Sequence, residues 1–83
     1  MNATEIRSVV LKVLGDIAPE ATGTTIEEAE SLREQLDLDS MDFLNFMIGL
    51  HEKLHVDIPE TDYPKVQTLK DLIAYLSSRM DAP

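Results

Sequence analysis

The chain has 83 residues and no cysteine, which excludes disulfide bonds and thiolate metal sites within it. Any thiol chemistry would therefore need a thiol supplied by another molecule. Long apolar runs are also missing, since none approaches the ~18 residues that a membrane span requires. The amino end lacks a basic segment followed by an apolar one. We therefore expect no membrane span and a cytoplasmic location.

Basic residues are scarce, with 7 Lys and Arg against 16 Asp and Glu and a formal net charge of -9. Such a surface repels nucleic acid phosphates and attracts basic protein surfaces. We therefore expect no nucleic acid partner and a protein partner with a positive patch. A chain of this length can build one small core and has no second layer to close over a substrate. It is expected to form a single domain, residues 1–83, and to be a monomer.

Three segments carry apolar residues at steps of three and four, the spacing of amphipathic helices. Polar residues suited to N-caps precede each segment, and prolines or an extended Ile-Pro pair follow the first two. A shorter turn precedes the third segment. The predicted elements are a helix capped by Asn2 and Glu5 that ends before Pro19, a helix from near Ser40 to about His55, a turn at Thr61 to Tyr63 cut by Pro64, and a helix opened by Thr68 and Asp71.

The helical periodicity of apolar residues is absent between Ala18 and Asp39. There Ile26, Leu32 and Leu36 could attach a long loop to the core. A loop of roughly 20 residues is unusual in so small a domain and suggests short helical turns within it or a functional role. The sequence thus predicts an all-α fold, a small bundle of three main helices plus one short helix, with a long loop between helices one and two.

The second predicted helix has two apolar faces. Five residues fall within an arc about 100° wide, which is typical of a core-facing stripe. A separate strip about 60° wide is formed by Met41, Leu44 and Ile48. Either the long loop covers this strip, or it is exposed for a partner. The core stripe consists of Phe43, Phe46, Met47, Leu50 and Leu54.

Ser40 stands at the first position of this helix if Asp39 is the N-cap and Asp42 completes a capping box. Its hydroxyl would point to solvent beside the positive end of the helix dipole, which favours an attached phosphate. Asp and Ser are common at helix starts, so a purely structural role stays open. A hydrolase nucleophile is disfavoured because G-x-S-x-G is absent and His51 would lie about 16 Å along the same helix.

HEKLH, residues 51–55, matches the H-E-x-x-H pattern of zinc hydrolases. Such sites need a third ligand beyond the second histidine. No histidine follows His55, and Glu60 is the last glutamate. We interpret the pentapeptide as a helix end and expect no metal, with a small zinc hydrolase as a minor alternative.

The stretch from Leu36 to Leu76 resembles the carrier half of the acyl carrier protein family. The residues Asp39, Ser40, Met41 and Asp42 match the family's Asp-Ser-Leu-Asp/Glu attachment motif, with Met in place of Leu. The resemblance implies that a phosphopantetheinyl transferase moves 4'-phosphopantetheine from coenzyme A onto Ser40. The thiol of the arm would carry acyl groups as thioesters, and the chain itself would not be an enzyme.

The resemblance also implies a surface that meets acyl-loading and acyl-transferring enzymes with basic patches. Its expected residues are Asp39, Met41, Asp42, Leu44, Ile48 and Glu52. The interior is expected to flank any pocket for an acyl chain, with Phe46, Met47, Leu50, Leu54, Ile58, Val66, Leu72 and Leu76.

The chain departs from the family pattern at several positions. The family commonly has Gly at the place of Asp37, and acids at the places of Asn45, His51, Lys53 and His55. The diluted acidity of the second helix favours a carrier dedicated to a particular pathway over one serving housekeeping fatty acid synthesis. Two alternatives stay open: a carrier of aminoacyl or peptidyl groups, against which the net charge weighs, and an unmodified acidic docking protein.

Overall fold

The computed structural model describes residues 2–23 and 25–80, so the remaining five positions of the predicted domain 1–83 lie outside the described residues. Within the described ranges the chain is helical and has no strand, which confirms the predicted all-α bundle. The helices are α1 (Ala3–Ile17), α2 (Leu32–Gln35), α3 (Ser40–Leu54) and α4 (Leu69–Met80), with 3-10 segments at Pro19–Gly23 and Glu60–Lys65.

Polar side chains fix the starts of α1 and α4, as the sequence predicted. The Glu5 backbone amide donates to the Asn2 side chain at 2.9 Å, and the Asn2 amide donates back to the Glu5 carboxylate at 3.3 Å. The Asp71 amide donates to the Thr68 hydroxyl at 3.1 Å. These bonds satisfy amides that have no partner within the first turn. Each helix therefore begins at a defined residue.

The core lies where α1 packs against α3 and α4. The eight residues predicted for the interior, from Phe46 to Leu76, are at most 8% exposed. Helix α3 lies close to α1 at Gly49, where an added Cβ would lie 2.7 Å from Cγ1 of Val13. A larger residue at this position would force these helices apart, because Val13 is itself packed in the core.

The long connection between α1 and α3 contains the first 3-10 segment and α2, which confirms the expected short helical turns. Leu32 and Leu36 are buried, and Ile26 packs against the core while partly exposed. Backbone bonds also hold the connection: the Leu32 amide donates to the Gln67 carbonyl at 2.8 Å, and the Lys70 amide to the Glu28 carbonyl at 3.0 Å. The connection is therefore attached to the start of α4.

One side chain closes this connection from within. The Gln35 amide nitrogen donates to the carbonyls of Glu27 and Glu30 at 2.9 and 3.2 Å, and the Gln35 amide oxygen accepts from the Glu27 amide at 2.9 Å. A side-chain amide has both donors and acceptors, so it can replace the backbone pairing that a loop lacks. These bonds set α2 in a fixed place.

The expectation that Pro64 ends the short turn was wrong. The 3-10 segment runs from Glu60 to Lys65 with Pro64 inside it. The fixed φ of proline suits this conformation. The Asp62 amide donates to the Pro59 carbonyl at 2.8 Å and the Val66 amide to the Tyr63 carbonyl at 3.1 Å, so the segment loses little from the missing amide of Pro64.

Asp62 ties this segment to α4. The Tyr75 hydroxyl donates to its carboxylate at 2.7 Å, and Lys65 and Arg79 approach it at 3.4 Å. The Tyr75 hydrogen bond is the main reason that the pKa of Asp62 lies below its usual value; partial burial opposes this, and the two cations add to it. Burial, together with the bond to Asp62, raises the pKa of Tyr75.

We expect Tyr75→Phe to raise the pKa of Asp62 toward 3.8, since the largest cause of its lowering is removed. Because the folded pKa lies below the unfolded one, Asp62 stabilises the fold above the unfolded pKa and loses this effect as pH falls through the folded value. The stability difference between wild type and variant should therefore shrink in strong acid. Carboxylate NMR titration and urea unfolding across pH measure both effects.

Tyr63→Phe is the matched control, because it also removes a tyrosine hydroxyl, from the residue next to Asp62 in the chain. The Tyr63 ring packs edge-on against Phe43, with 5.6 Å between the ring centroids. It should leave the pKa of Asp62 unchanged. An Asp62 pKa that is the same in Tyr75→Phe and in wild type would contradict the assigned cause.

Candidate functional site

A reciprocal capping box starts α3. The Asp42 amide donates to the Asp39 carboxylate at 2.8 Å, and the Asp39 amide donates to the Asp42 carboxylate at 3.5 Å. Asp39 has the extended backbone of an N-cap. The first bond is short and the second is long, so Asp39 contributes more to the cap than Asp42 does. The predicted start of the second helix is confirmed.

Ser40 is the first residue of α3, and its side chain is exposed. The first amides of a helix have no partner within it, and the helix dipole places partial positive charge there. A phosphoryl group linked through the Ser40 oxygen would therefore sit in a favourable field. The geometry gives a partner enzyme open access to this hydroxyl.

Arg33 also reaches Ser40, a contact that sequence reasoning missed. Its Nη2 donates to Oγ of Ser40 at 3.3 Å. The four-residue helix α2 brings the guanidinium into place, and nothing in the apolar periodicity announces so short a helix. One signal was present in the sequence: Arg33 is the only Lys or Arg between Lys12 and Lys53.

Asp37 occupies the left-handed position that ends α2. Its φ is 53°, and the Leu38 amide donates to the Arg33 carbonyl at 2.9 Å. This six-to-one bond after a left-handed residue is the Schellman arrangement, in which glycine is the usual residue at the place of Asp37. The family's preference for Gly at this position thus has a conformational cause. The motif turns the chain between α2 and α3 and buries Leu38.

The apolar strip on α3 is open to solvent. Met41, Leu44 and Ile48 are 64%, 39% and 46% exposed and are the large exposed hydrophobic residues of the described chain. Of the two alternatives left open by the sequence, covering of the strip by the long loop is therefore excluded. The loop is held against the start of α4 instead, through its backbone bonds to Gln67 and Lys70.

Acidic residues flank this strip at both ends. Asp39 and Glu52 are exposed, while Asp42 is partly buried. The positions that depart from the family's acids are also on the surface, and Asn45, His51, Lys53 and His55 are all exposed. The predicted partner residues therefore lie along one helix, and all but Asp42 are well exposed.

HEKLH does not keep the geometry of a zinc site. Helix α3 ends at Leu54, and His55 is its C-cap with a left-handed backbone, φ 56°. Nδ1–H of His51 donates to the Val56 carbonyl at 3.2 Å. The His55 amide still donates to the His51 carbonyl at 2.8 Å, but the helical backbone does not continue through His55. Across residues 2–23 and 25–80 no group of three or more His, Cys, Asp or Glu could hold a metal ion.

None of the helices within residues 2–23 and 25–80 is long and apolar enough to cross a membrane.

A family model described as a phosphopantetheine attachment site matches residues 4–76, a range that includes the exposed serine at the capped start of α3. Acyl carrier proteins from three bacteria are similar over most of their length. That of Chlamydia caviae is 31% identical over 75 residues (90% of this chain, 91% of the relative). That of Kineococcus radiotolerans is 31% identical over 71 residues (82% and 88%). That of Thermosynechococcus vestitus is 28% identical over 82 residues (99% and 100%).

The chain belongs to the acyl carrier protein family. Membership implies a covalently attached 4'-phosphopantetheine as prosthetic group. Acyl carrier proteins interact with phosphopantetheinyl transferases and with acyl-handling enzymes. The described residues fit such an arm, since an exposed hydroxyl, a helix start and a guanidinium meet at Ser40.

We expect Asp37→Gly to stabilise the fold by about 1 kcal/mol or less, because glycine adopts the left-handed conformation without the steric cost of a Cβ. Asp37→Ala is the matched control, since it also removes the charge but keeps the Cβ. Chemical unfolding of both variants measures the difference. Equal stability of the Gly and Ala variants would contradict the conformational cause.

Proposed function

We propose that this chain carries acyl groups as thioesters on a 4'-phosphopantetheine arm attached to Ser40. The single observation that supports this most is the position of Ser40: exposed, first in α3, and inside the motif of Asp39, Met41 and Asp42. The transfer would join Ser40 Oγ to the phosphorus of the arm and release the rest of coenzyme A. The hydroxyl proton would pass to a base on the transferase.

The surroundings of Ser40 favour a carrier over a catalyst. Arg33 donates to its hydroxyl and cannot take a proton from it. The carboxylates of Asp39 and Asp42 accept backbone amides in the capping box. Activation of Ser40 is therefore assigned to the transferase, and we propose that residues 1–83 form one carrier domain without enzymatic activity of its own.

We further propose that partners dock on the strip of Met41, Leu44 and Ile48. An exposed apolar strip next to acids suits a partner with an apolar groove and a basic rim. The apolar side chains would supply most of the binding energy, and the acids would steer the approach. Exposed Asp39 and Glu52 mark the two ends of this surface.

The acyl chain is proposed to enter the bundle between α3 and the second 3-10 segment. A surface pocket lies there, and two of its lining residues, Met47 and Ile58, belong to the predicted interior set. Chain burial at this place would shield the thioester from water. The full lining is Met47, Ile48, His51, Asp57, Ile58 and Tyr63.

Acyl cargo is favoured over aminoacyl or peptidyl cargo because the net charge is -9. A dedicated pathway is favoured over housekeeping fatty acid synthesis because neutral or basic residues such as Asn45 and Lys53 replace acids on the exposed side of α3. The cytoplasmic location and the monomeric state stay predictions.

We expect incubation with coenzyme A and a broad-specificity transferase to add the mass of one arm to the wild type. Ser40→Ala should gain none, because it lacks the accepting oxygen. Ser78→Ala is the matched control: Ser78 is exposed on α4, and its loss should leave the mass gain intact. Intact-mass spectrometry decides. An unmodified wild type, beside a control carrier that is loaded, would refute the attachment at Ser40.

Leu44→Ala and Ile48→Ala should each cost far less stability than the 2–5 kcal/mol typical of a buried leucine or isoleucine. Both should slow loading or acyl transfer, since an apolar anchor at an interface can contribute about 1 kcal/mol or more. Leu50→Ala, fully buried on the same helix, is the matched control and should show the large stability loss.

Electrostatic steering is better tested at Glu52 than at Asp39 or Asp42, because those two cap α3 and their loss would also weaken the helix. Glu52→Gln should lower the association rate at low salt and have little effect at high salt.

For the apolar strip, unchanged loading and transfer in Leu44→Ala and Ile48→Ala would contradict docking at these residues.

A further inference from the structure

The positively charged Arg33 side chain lies beside Ser40, where its hydrogen-bond acceptors are two neutral oxygens. Its Nη2 donates to Oγ of Ser40 at 3.3 Å, and its Nε lies 3.5 Å from the Leu38 carbonyl. The guanidinium carbon lies 5.7 Å from the centroid of the Phe43 ring. These contacts are long for hydrogen bonds, so the guanidinium has donors left for a stronger partner.

Helix α2, which carries Arg33, is attached to the rest of the fold at both ends. Leu32, its neighbour in α2, is fully buried, and its backbone bond to Gln67 fixes it to the start of α4. The side chain of Gln35 holds the other end of α2. The guanidinium also lies over the ring of Phe43, which is buried in the core, and gains a cation–π contact there. A guanidinium held in this way loses little freedom when it binds.

Arg33 is a positive charge in a region around Ser40 that is otherwise acidic. Asp39 and Asp42 flank the serine, and Asp37 lies three residues before it. Other Arg side chains of the described chain are paired elsewhere, Arg7 with Glu28 and Arg79 with Asp62. A phosphodiester on Ser40 would add one negative charge to this acidic region. An arginine within reach would offset that repulsion and could bind two phosphate oxygens at once.

We propose that Arg33 binds the phosphodiester of the arm and sets the direction in which the arm leaves the bundle. This inference rests on the proposed attachment at Ser40. On loading, the serine oxygen becomes an ester oxygen, and the guanidinium moves from it to the charged oxygens of the phosphate. Arg33 is a positioning residue, and its effect exists only in the loaded form.

The test is a cycle of apo and holo forms of wild type and Arg33→Gln, with loading of each confirmed by intact mass. The change in melting temperature from apo to holo should be about 4 °C less favourable in Arg33→Gln than in wild type. This is the shift that roughly 1 kcal/mol produces in so small a domain. High salt should reduce this difference. Comparing apo with holo cancels any purely structural effect of the substitution.

Arg79→Gln is the matched control, because Arg79 also lies over an aromatic ring, Tyr75 at 4.8 Å, and contacts a carboxylate. Its loading shift should equal that of wild type. Arg33→Lys should recover only part of the effect, since it keeps the charge without the planar fork.

A second readout is independent of variant stability. Loading the wild type should move the Nε–H resonance of Arg33, and the ³¹P resonance should differ between holo wild type and holo Arg33→Gln. Full loading with equal thermal shifts and unmoved resonances would overturn the role of Arg33 while leaving the attachment intact. Absence of any mass gain that depends on Ser40 would overturn both proposals.

Discussion

Helix α3 has to begin at Ser40, and the organisation of the site depends on this constraint. The carboxylate of Asp39 takes the Asp42 amide, so the helix cannot start earlier or later without losing its cap. With the start fixed, the helical repeat sends Phe43, Phe46 and Leu50 into the core and leaves Leu44 and Ile48 outside. One local hydrogen-bond pair thus sets the exposure of the serine and the direction of the apolar strip.

The rest of the bundle holds α3 in place without covering its outer face. Its partner α1 comes close at Gly49, where only a hydrogen can face Val13. The long connection, which could have folded over the strip, is drawn to the start of α4 by the bonds of Leu32 and Lys70. The hydrophobic residues Leu32 and Leu36 of the connection pack in the core, so the strip on α3 stays open to solvent.

The same connection shapes the environment of the serine. A helix of four residues has little stability of its own, so α2 depends on the burial of Leu32 and on the side chain of Gln35. The Schellman turn at Asp37 then reverses the chain into the α3 cap. Arg33 reaches Ser40 as a consequence of this turn. In an acidic protein, a guanidinium within hydrogen-bond distance of Ser40 changes the local field more than a distant residue does.

The sequence alone determined the helices α1, α3 and α4, their caps, the core stripe and the candidate serine, because caps and apolar periodicity act between residues near in the chain. It also isolated Met41, Leu44 and Ile48 as a separate strip, since a helical wheel needs only local geometry. Whether that strip was covered, where Arg33 pointed, and that His55 left the helix were decided by the tertiary structure. Each depends on contacts between segments distant in the chain or on a backbone conformation that the packing selects, and local patterns carry no information about either.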